Sequence, residues 1–127
     1  MFDFPFSFEG VNNPGDYESE SITFRAEEDI DTLYDYLLIY SVEDPETGLP
    51  DYSKCRILTF DDIELQKGSL LEIYTRKGED SSTIEFETAA LNQILYWGLP
   101  SPIWNIPYSS FELSRRGDSI AGGMFND

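Results

Sequence analysis

Carboxylates are the most abundant ionisable groups in this chain, with 25 aspartate and glutamate residues against 8 lysine and arginine residues. The sequence contains no histidine. Histidine is the commonest general base, the usual partner of serine and cysteine nucleophiles, and the commonest transition-metal ligand. We therefore expect that the protein is not an enzyme.

The sequence has a single cysteine, Cys55. One cysteine cannot form an internal disulfide, and one cysteine without histidine cannot complete a zinc site. We interpret Cys55 as a residue of a strand, and we expect no metal and no other cofactor.

Acidic residues form two short groups in the sequence. These are Asp29, Asp31 and Asp35, and then Asp61, Asp62 and Glu64. Calcium takes about six to eight oxygen ligands held by a tight loop, and neither group has the glycine and closing glutamate of an EF-hand. Weak cation binding and glycoside hydrolysis by a carboxylate pair are alternatives. A hydrated acidic face is the simpler interpretation.

The negative charge is concentrated in the first part of the chain. Residues 1–51 hold 14 acidic residues and one arginine, which gives −13 of the formal net charge of −17. Such a field repels nucleic-acid phosphates and anionic lipid heads, and it attracts basic proteins. We therefore expect a protein partner, basic if charge has a role, and neither a nucleic acid nor a membrane.

A polar loop over Glu43–Tyr52 contains two prolines and a glycine, which are typical of turns. We expect a binding loop here. The candidate binding residues are the acids of this loop and of the group before it: Asp29, Asp31, Asp35, Glu43, Asp44, Glu46 and Asp51.

Short apolar or alternating runs between turn residues predict several β-strands. The clearest are Ser21–Ala26, Arg56–Phe60, Ser69–Thr75 and Ser110–Ser114. Strands spaced by roughly eight to twelve residues are typical of a β-sandwich or barrel. We expect a mainly β fold in a single domain over residues 1–127, with a frayed tail at 122–127.

One segment fits both a helix and a strand. Apolar residues from Ile30 to Leu38 have the spacing of an amphipathic helix, whereas Leu37–Val42 is typical of a buried strand. We favour a short turn that leads into a strand. The alternative is an α+β fold with a helix at residues 28–38.

The segment Tyr96–Asn105 holds both tryptophans, Trp97 and Trp104, around a Pro-x-Pro sequence. Such a sequence is not helical, and tryptophan dominates core energetics where it is buried. We predict a rigid corner with both tryptophans in the core. An acidic loop at Glu79–Glu87 and a short helix at Ala89–Leu95 are expected to precede it.

Phenylalanine alternates with other residues at the start of the chain: Phe2, Phe4, Phe6 and Phe8. In an extended chain these four side chains share one face. Pro5 lacks an N–H, so the strand would be an edge strand. Residues 1–15 are either a first strand over the protein's own core or an arm that binds a partner or a second copy.

Three segments of the second half follow one another in a characteristic order. Leu65–Gly78 has a leucine, two residues, a glycine and then an apolar strand; Tyr96–Gly98 and Ile103–Asn105 supply a tryptophan and a Trp-Asn pair; Phe111–Ile120 has the pattern of a closing hairpin. This order resembles that of lamin-tail domains, mainly over Phe60–Ile120. The family usually has Asn-x-Gly-Asp after its tryptophan, and this sequence does not, so the turn there must differ.

The resemblance implies an immunoglobulin-like β-sandwich with one or two short helices, and a role in protein interaction or scaffolding. Some lamin-tail domains contact nucleic acid, and the charge here argues against that role. The expected function is a non-enzymatic interaction or scaffolding module. The alternative is an acidic inhibitor or nucleic-acid mimic, of the immunity or anti-defence type, that binds a basic protein. We see no signal peptide and no apolar run of about 20 residues, so we expect a cytoplasmic location.

Overall fold

A computed structural model describes residues 4–84 and 91–116. This part of the chain is mainly β and forms two sheets. The strands are β1 (Phe6–Asn12), β2 (Ser21–Ala26), β3 (Tyr36–Val42), β4 (Arg56–Thr59), β5 (Leu70–Tyr74), β6 (Ser81–Ile84), β7 (Leu91–Tyr96) and β8 (Ser109–Arg115). A 3₁₀ helix at Leu33–Asp35 precedes β3. Within the described ranges, no helix is long and apolar enough to cross a membrane.

Contacts between residues divide the chain into two units, each made from two stretches of sequence. The first unit combines residues 1–31 with 64–105 and contains a five-stranded sheet in the order β1-β2-β5-β7-β6. The second unit combines residues 32–63 with 106–127 and contains a three-stranded sheet in the order β4-β3-β8. The single domain expected from the sequence stays a prediction.

The sheet of the first unit is mixed. Strands β1, β2 and β5 are antiparallel, β5 and β7 are parallel, and β6 is antiparallel to β7. Ile22 and Phe24 of β2 and Leu71 and Ile73 of β5 are buried. These two neighbouring strands therefore form the centre of the apolar core of this unit.

The N-terminal segment forms the edge of this sheet, as predicted. Phe6 is buried, and Phe8 remains half exposed with its ring centroid 6.0 Å from that of Phe24. A β-bulge between Phe8 and Gly10 interrupts the pairing with β2. Phe2 lies outside the described residues, and so does the tail at 122–127.

Two predictions about the first unit are wrong. Leu91–Tyr96 is strand β7 rather than part of a helix, because it pairs with β5 on one side and with β6 on the other. Ser81–Ile84 is strand β6 rather than loop, because it pairs with β7. In both segments sheet pairing outweighs the local pattern, and residues 85–90 lie outside the described chain.

The sheet of the second unit is centred on β3. Its buried residues alternate with half-buried ones: Tyr36, Leu38, Tyr40 and Val42. This period of two, together with the antiparallel pairing to β4 and β8, shows that the alternative helix at residues 28–38 is wrong. The favoured turn leading into a strand is confirmed by the 3₁₀ helix Leu33–Asp35.

The Pro-x-Pro corner is fixed to the end of β5 by backbone hydrogen bonds. The N–H of Trp97 donates to the carbonyl of Tyr74 at 2.8 Å, and the N–H of Leu99 donates to that of Thr75 at 2.9 Å. Within the corner, Ile103 lies in the core. The two tryptophans are only half buried, so the prediction that both lie in the core is wrong.

A buried carboxylate joins three parts of the first unit. Glu20 is fully buried, and its Oε1 accepts from the N–H of Gly15 at 2.7 Å and of Trp104 at 3.3 Å. Its Oε2 accepts from the hydroxyl of Thr75 at 2.6 Å and from the N–H of Ile103 at 3.0 Å. Both oxygens are thus bonded twice, as a buried carboxylate requires.

We expect Glu20→Gln to destabilise the protein by about 3 kcal/mol or more, since the amide nitrogen faces two donors and leaves them unpaired. The free energy of unfolding in urea measures this. The control is Glu18→Gln at an exposed side chain, which should change it by less than about 0.5 kcal/mol. Equal stability of the two variants would show that the network is not needed.

Candidate functional site

The loop Glu43–Tyr52 closes one end of the three-stranded sheet and has a defined conformation. The N–H of Asp44 donates to the carbonyl of Leu49 at 2.8 Å, and Glu43 forms an isolated bridge with Pro50. Gly48 supports the tight return with a φ of 72°, a left-handed conformation that glycine adopts without a steric penalty. The loop is therefore a tight turn after β3 whose two ends are joined by backbone hydrogen bonds.

Two of the predicted binding carboxylates shape this loop from within. Asp44 accepts the N–H of Glu46 at 2.9 Å, an Asx turn that stabilises the bend. Asp51 accepts the N–H of Ser53 at 3.2 Å and its hydroxyl at 2.6 Å, and it lies 3.8 Å from Lys54. These two acids are part of the scaffold, whereas Glu43 and Glu46 are exposed.

The pKa of Asp51 lies below its ordinary value of 3.8, mainly because the hydroxyl of Ser53 donates a hydrogen bond to the carboxylate. Partial burial opposes this shift of the pKa, and the N–H of Ser53 and the charge of Lys54 add to it. Because the folded-state pKa is depressed, this contribution to stability is present above pH 3.8 and is lost as the pH falls through the lower value.

We therefore expect Ser53→Ala to raise the pKa of Asp51 toward 3.8, as measured by an NMR titration of the side-chain carboxyl. The matched control is Ser82→Ala at an exposed serine of β6, which should leave the pKa of Asp51 unchanged. An Asp51 pKa unaffected by Ser53→Ala would contradict the hydrogen bond.

Tyr108 lies beside this loop in a strained backbone conformation. Its φ is 63°, in the left-handed region that costs most residues other than glycine roughly 1–2 kcal/mol. Its carbonyl accepts the N–H of Glu43 at 3.0 Å. The loop thus fixes the backbone of Tyr108, while its side chain is 63% exposed.

A pocket of about 140 Å³ lies at this end of the sheet. It is lined by Ser41, Val42, Glu43, Gly48, Pro50 and Ser110. Sites for drug-sized ligands occupy about 300–1,000 Å³, so this pocket is suited to one side chain of a partner. Glu43 supplies its single charge.

Large, exposed hydrophobic side chains lie in this loop and next to it. Leu49 is 64% exposed and Tyr52 is 81% exposed, and the backbone bonds through Glu43 place Tyr108 at the same end of the sheet. Sequence reasoning selected this loop for its acids and missed these three residues. The available signal was a leucine and a tyrosine within an otherwise polar loop.

The other three predicted binding residues lie outside this loop. Asp29 and Asp31 are exposed residues of the first unit, and Asp29 accepts the backbone N–H of Lys67 at 2.8 Å. Asp35 is exposed at the start of β3, and Glu43 follows the end of that strand. At about 3.3 Å per strand residue, Asp35 and Glu43 are roughly 25 Å apart.

No group of three or more potential metal-ligating side chains occurs among residues 4–84 and 91–116. Cys55 is a half-buried thiol that donates to the carbonyl of Asp51 at 3.3 Å, and it directly precedes β4 rather than lying within it. In comparisons with family models, curated proteins and solved structures, nothing matches this chain.

We expect Tyr108→Gly to leave the protein equally stable or up to about 1 kcal/mol more stable, because relief of the left-handed strain exceeds the entropy cost of glycine. Thermal unfolding measures the difference. Tyr34→Gly is the comparison, since Tyr34 lies in the 3₁₀ helix and has no such strain to lose. A Tyr108→Gly variant less stable than Tyr34→Gly would contradict this account.

Proposed function

We propose that the protein is a non-enzymatic protein-interaction module whose binding surface is the loop Glu43–Tyr52 together with Tyr108. The observation that supports this best is the exposure of Leu49, Tyr52 and Tyr108, at 64%, 81% and 63%. Aromatic side chains are enriched at the centres of protein interfaces. Here they stand on backbone that the loop already orders, so binding needs little reorganisation.

The chemistry of the surface favours a basic partner. Glu43 and Glu46 are exposed in the same loop as Leu49 and Tyr52, and the chain as a whole carries a formal net charge of −17. The apolar contacts would supply most of the affinity, and the charges would supply speed and selectivity of association. A lysine or arginine of the partner fits the pocket beside Glu43.

The finer fold assignment belongs to the same proposal. Two sheets in a mainly β chain, and the order of the segments Leu65–Gly78, Tyr96–Asn105 and Ser109–Arg115, support an immunoglobulin-like sandwich of the lamin-tail kind. Interaction and scaffolding are the roles that this resemblance implies.

The second candidate function is an acidic inhibitor or nucleic-acid mimic that binds a basic protein. It is favoured by the −13 charge of residues 1–51 and by the exposure of Asp29, Asp31 and Asp35. Asp29 and Asp31 belong to the first unit, and Asp35 precedes the opposite end of β3 from the apolar loop. A partner held by them would associate rapidly, and its affinity would fall steeply with salt.

Selection of short random peptides displayed on phage against the wild-type protein tests the main proposal. We expect enriched peptides that combine lysine or arginine with apolar residues. Tyr52→Ala should weaken their binding by about tenfold or more, the loss expected for a central aromatic contact. Fluorescence polarisation with a labelled peptide measures the affinity.

Tyr34→Ala is the matched control, because Tyr34 is 55% exposed and precedes the opposite end of β3. It should bind the same peptides as tightly as the wild type. A different result would instead support the acidic inhibitor. In that case the peptides would bind Tyr52→Ala and Tyr34→Ala equally well, their affinity would fall steeply with salt, and charge reversal at Asp29 and Asp31 would abolish their binding.

A further inference from the structure

Four strands form the edges of the two sheets in the described chain: β1 and β6 in the first unit, and β4 and β8 in the second. An edge strand presents backbone donors and acceptors that can pair with another strand. Whether an edge pairs with the same edge of a second copy depends on the charges that a two-fold axis brings together.

Three of these edges oppose such pairing. Strand β1 begins after Pro5, which has no N–H, and its bulge between Phe8 and Gly10 interrupts a regular edge. In β8, a two-fold axis through the strand centre places Glu112 opposite Glu112 of the second copy. In the sequence around β6, acids stand at both ends of the strand, as Asp80 and Glu85.

Strand β4 has opposite charges at its two ends. Lys54 and Arg56 stand at its start, and Asp61 and Asp62 follow its end; all four are exposed. Ile57, within the strand, is 60% exposed. The described pairing of β4 is with β3 alone.

The cations at the start of β4 remain available to a partner. Among the residues that the structure describes, Lys54 pairs with Asp51 alone, at 3.8 Å, and such surface pairs contribute little. The guanidinium of Arg56 donates to the carbonyls of Ser53 and Cys55 at 3.1 and 2.8 Å, which holds it near the strand. Within residues 4–84 and 91–116 it forms no ion pair with a carboxylate.

We propose that β4 pairs antiparallel with β4 of a second copy around a two-fold axis. With Leu58 opposite Leu58 of the second copy, Ile57 lies opposite its Thr59. The start of each β4, with Lys54 and Arg56, then lies beside the end of the other β4, which Asp61 and Asp62 follow. The two three-stranded sheets then form one continuous six-stranded sheet. Each end of the new strand pair joins opposite charges, and the exposed isoleucines are covered.

The size and charge of this interface define its strength. Strand β4 has four residues, so the dimer belongs with small, transient interfaces. Two chains of charge −17 repel each other at long range, and salt screens that repulsion beyond roughly 8 Å at physiological ionic strength. The affinity of the dimer therefore increases as the salt concentration rises from very low values. The affinity for a basic partner would change in the opposite direction. This inference stands independently of the proposed binding loop.

Sedimentation velocity over a concentration series tests the dimer with two charge-reversal variants. We expect the wild type to be a weak dimer. Lys54→Glu with Arg56→Glu, and separately Asp61→Lys with Asp62→Lys, should each be monomeric, because like charges then meet at both ends of the pair. An equimolar mixture of the two variants should restore dimers, since every facing charge is again opposite.

The mixture is the decisive measurement, because the mixed pair has the same total charge as the wild-type pair and because restored association shows that both variants are folded. Lys67→Glu with Lys77→Glu is the control for net charge, since both lysines are exposed in the first unit. Like the Lys54 and Arg56 variant, it replaces two cations by acids, and it should remain a dimer.

Three results would overturn the proposal. They are a wild type that stays monomeric up to about 1 mM, a Lys54 and Arg56 variant that dimerises as well as the control, and a mixture that stays monomeric although circular dichroism shows both variants folded.

Discussion

The carboxylate of Glu20 is the constraint on which the first unit depends. A buried charge is costly unless hydrogen bonds surround it, and this one receives four: from the turn after β1, from the end of β5 and from the Pro-x-Pro corner. The corner has no strand pairing of its own at Ile103 and Trp104, so the carboxylate satisfies backbone N–H groups that no sheet reaches. One acid thus holds three irregular segments in fixed positions around a regular sheet.

Much of the strand content was predictable, because burial and local pattern agree there. Ser21–Ala26 was predicted with its observed ends. The prediction for β4 differs from the structure by one residue at one end, and those for β5 and β8 differ by one residue at both ends. β7 was not predictable from its own residues. It pairs with strands on both sides, and its buried positions include the polar Gln93, so apolar and polar residues do not simply alternate along it.

The site was predictable only in outline. Proline and glycine indicate the loop Glu43–Tyr52. Its acids were predicted to bind a partner, whereas the residues that are most exposed there are Leu49 and Tyr52. Asp44 and Asp51 bond to backbone N–H groups of their own turns, so acidity there serves local folding. The backbone bond between Glu43 and Tyr108 joins residues far apart in sequence, and no local pattern indicates it.

The long sequence separation between Glu20 and its hydrogen-bond partners has a consequence for folding during synthesis on the ribosome. Glu20 bonds to Ile103, 83 residues later, and the first sheet needs β5 and β7 beside the early strands. While only residues 1–63 have emerged, β1 and β2 have each other but not the rest of their sheet. Domains generally fold as units during synthesis, and pairings distant in sequence form slowly. Until the tryptophan segment is made, the carboxylate of Glu20 therefore stays hydrated and cannot be buried with its four donors. During that interval the strong negative charge of residues 1–51 repels neighbouring nascent chains.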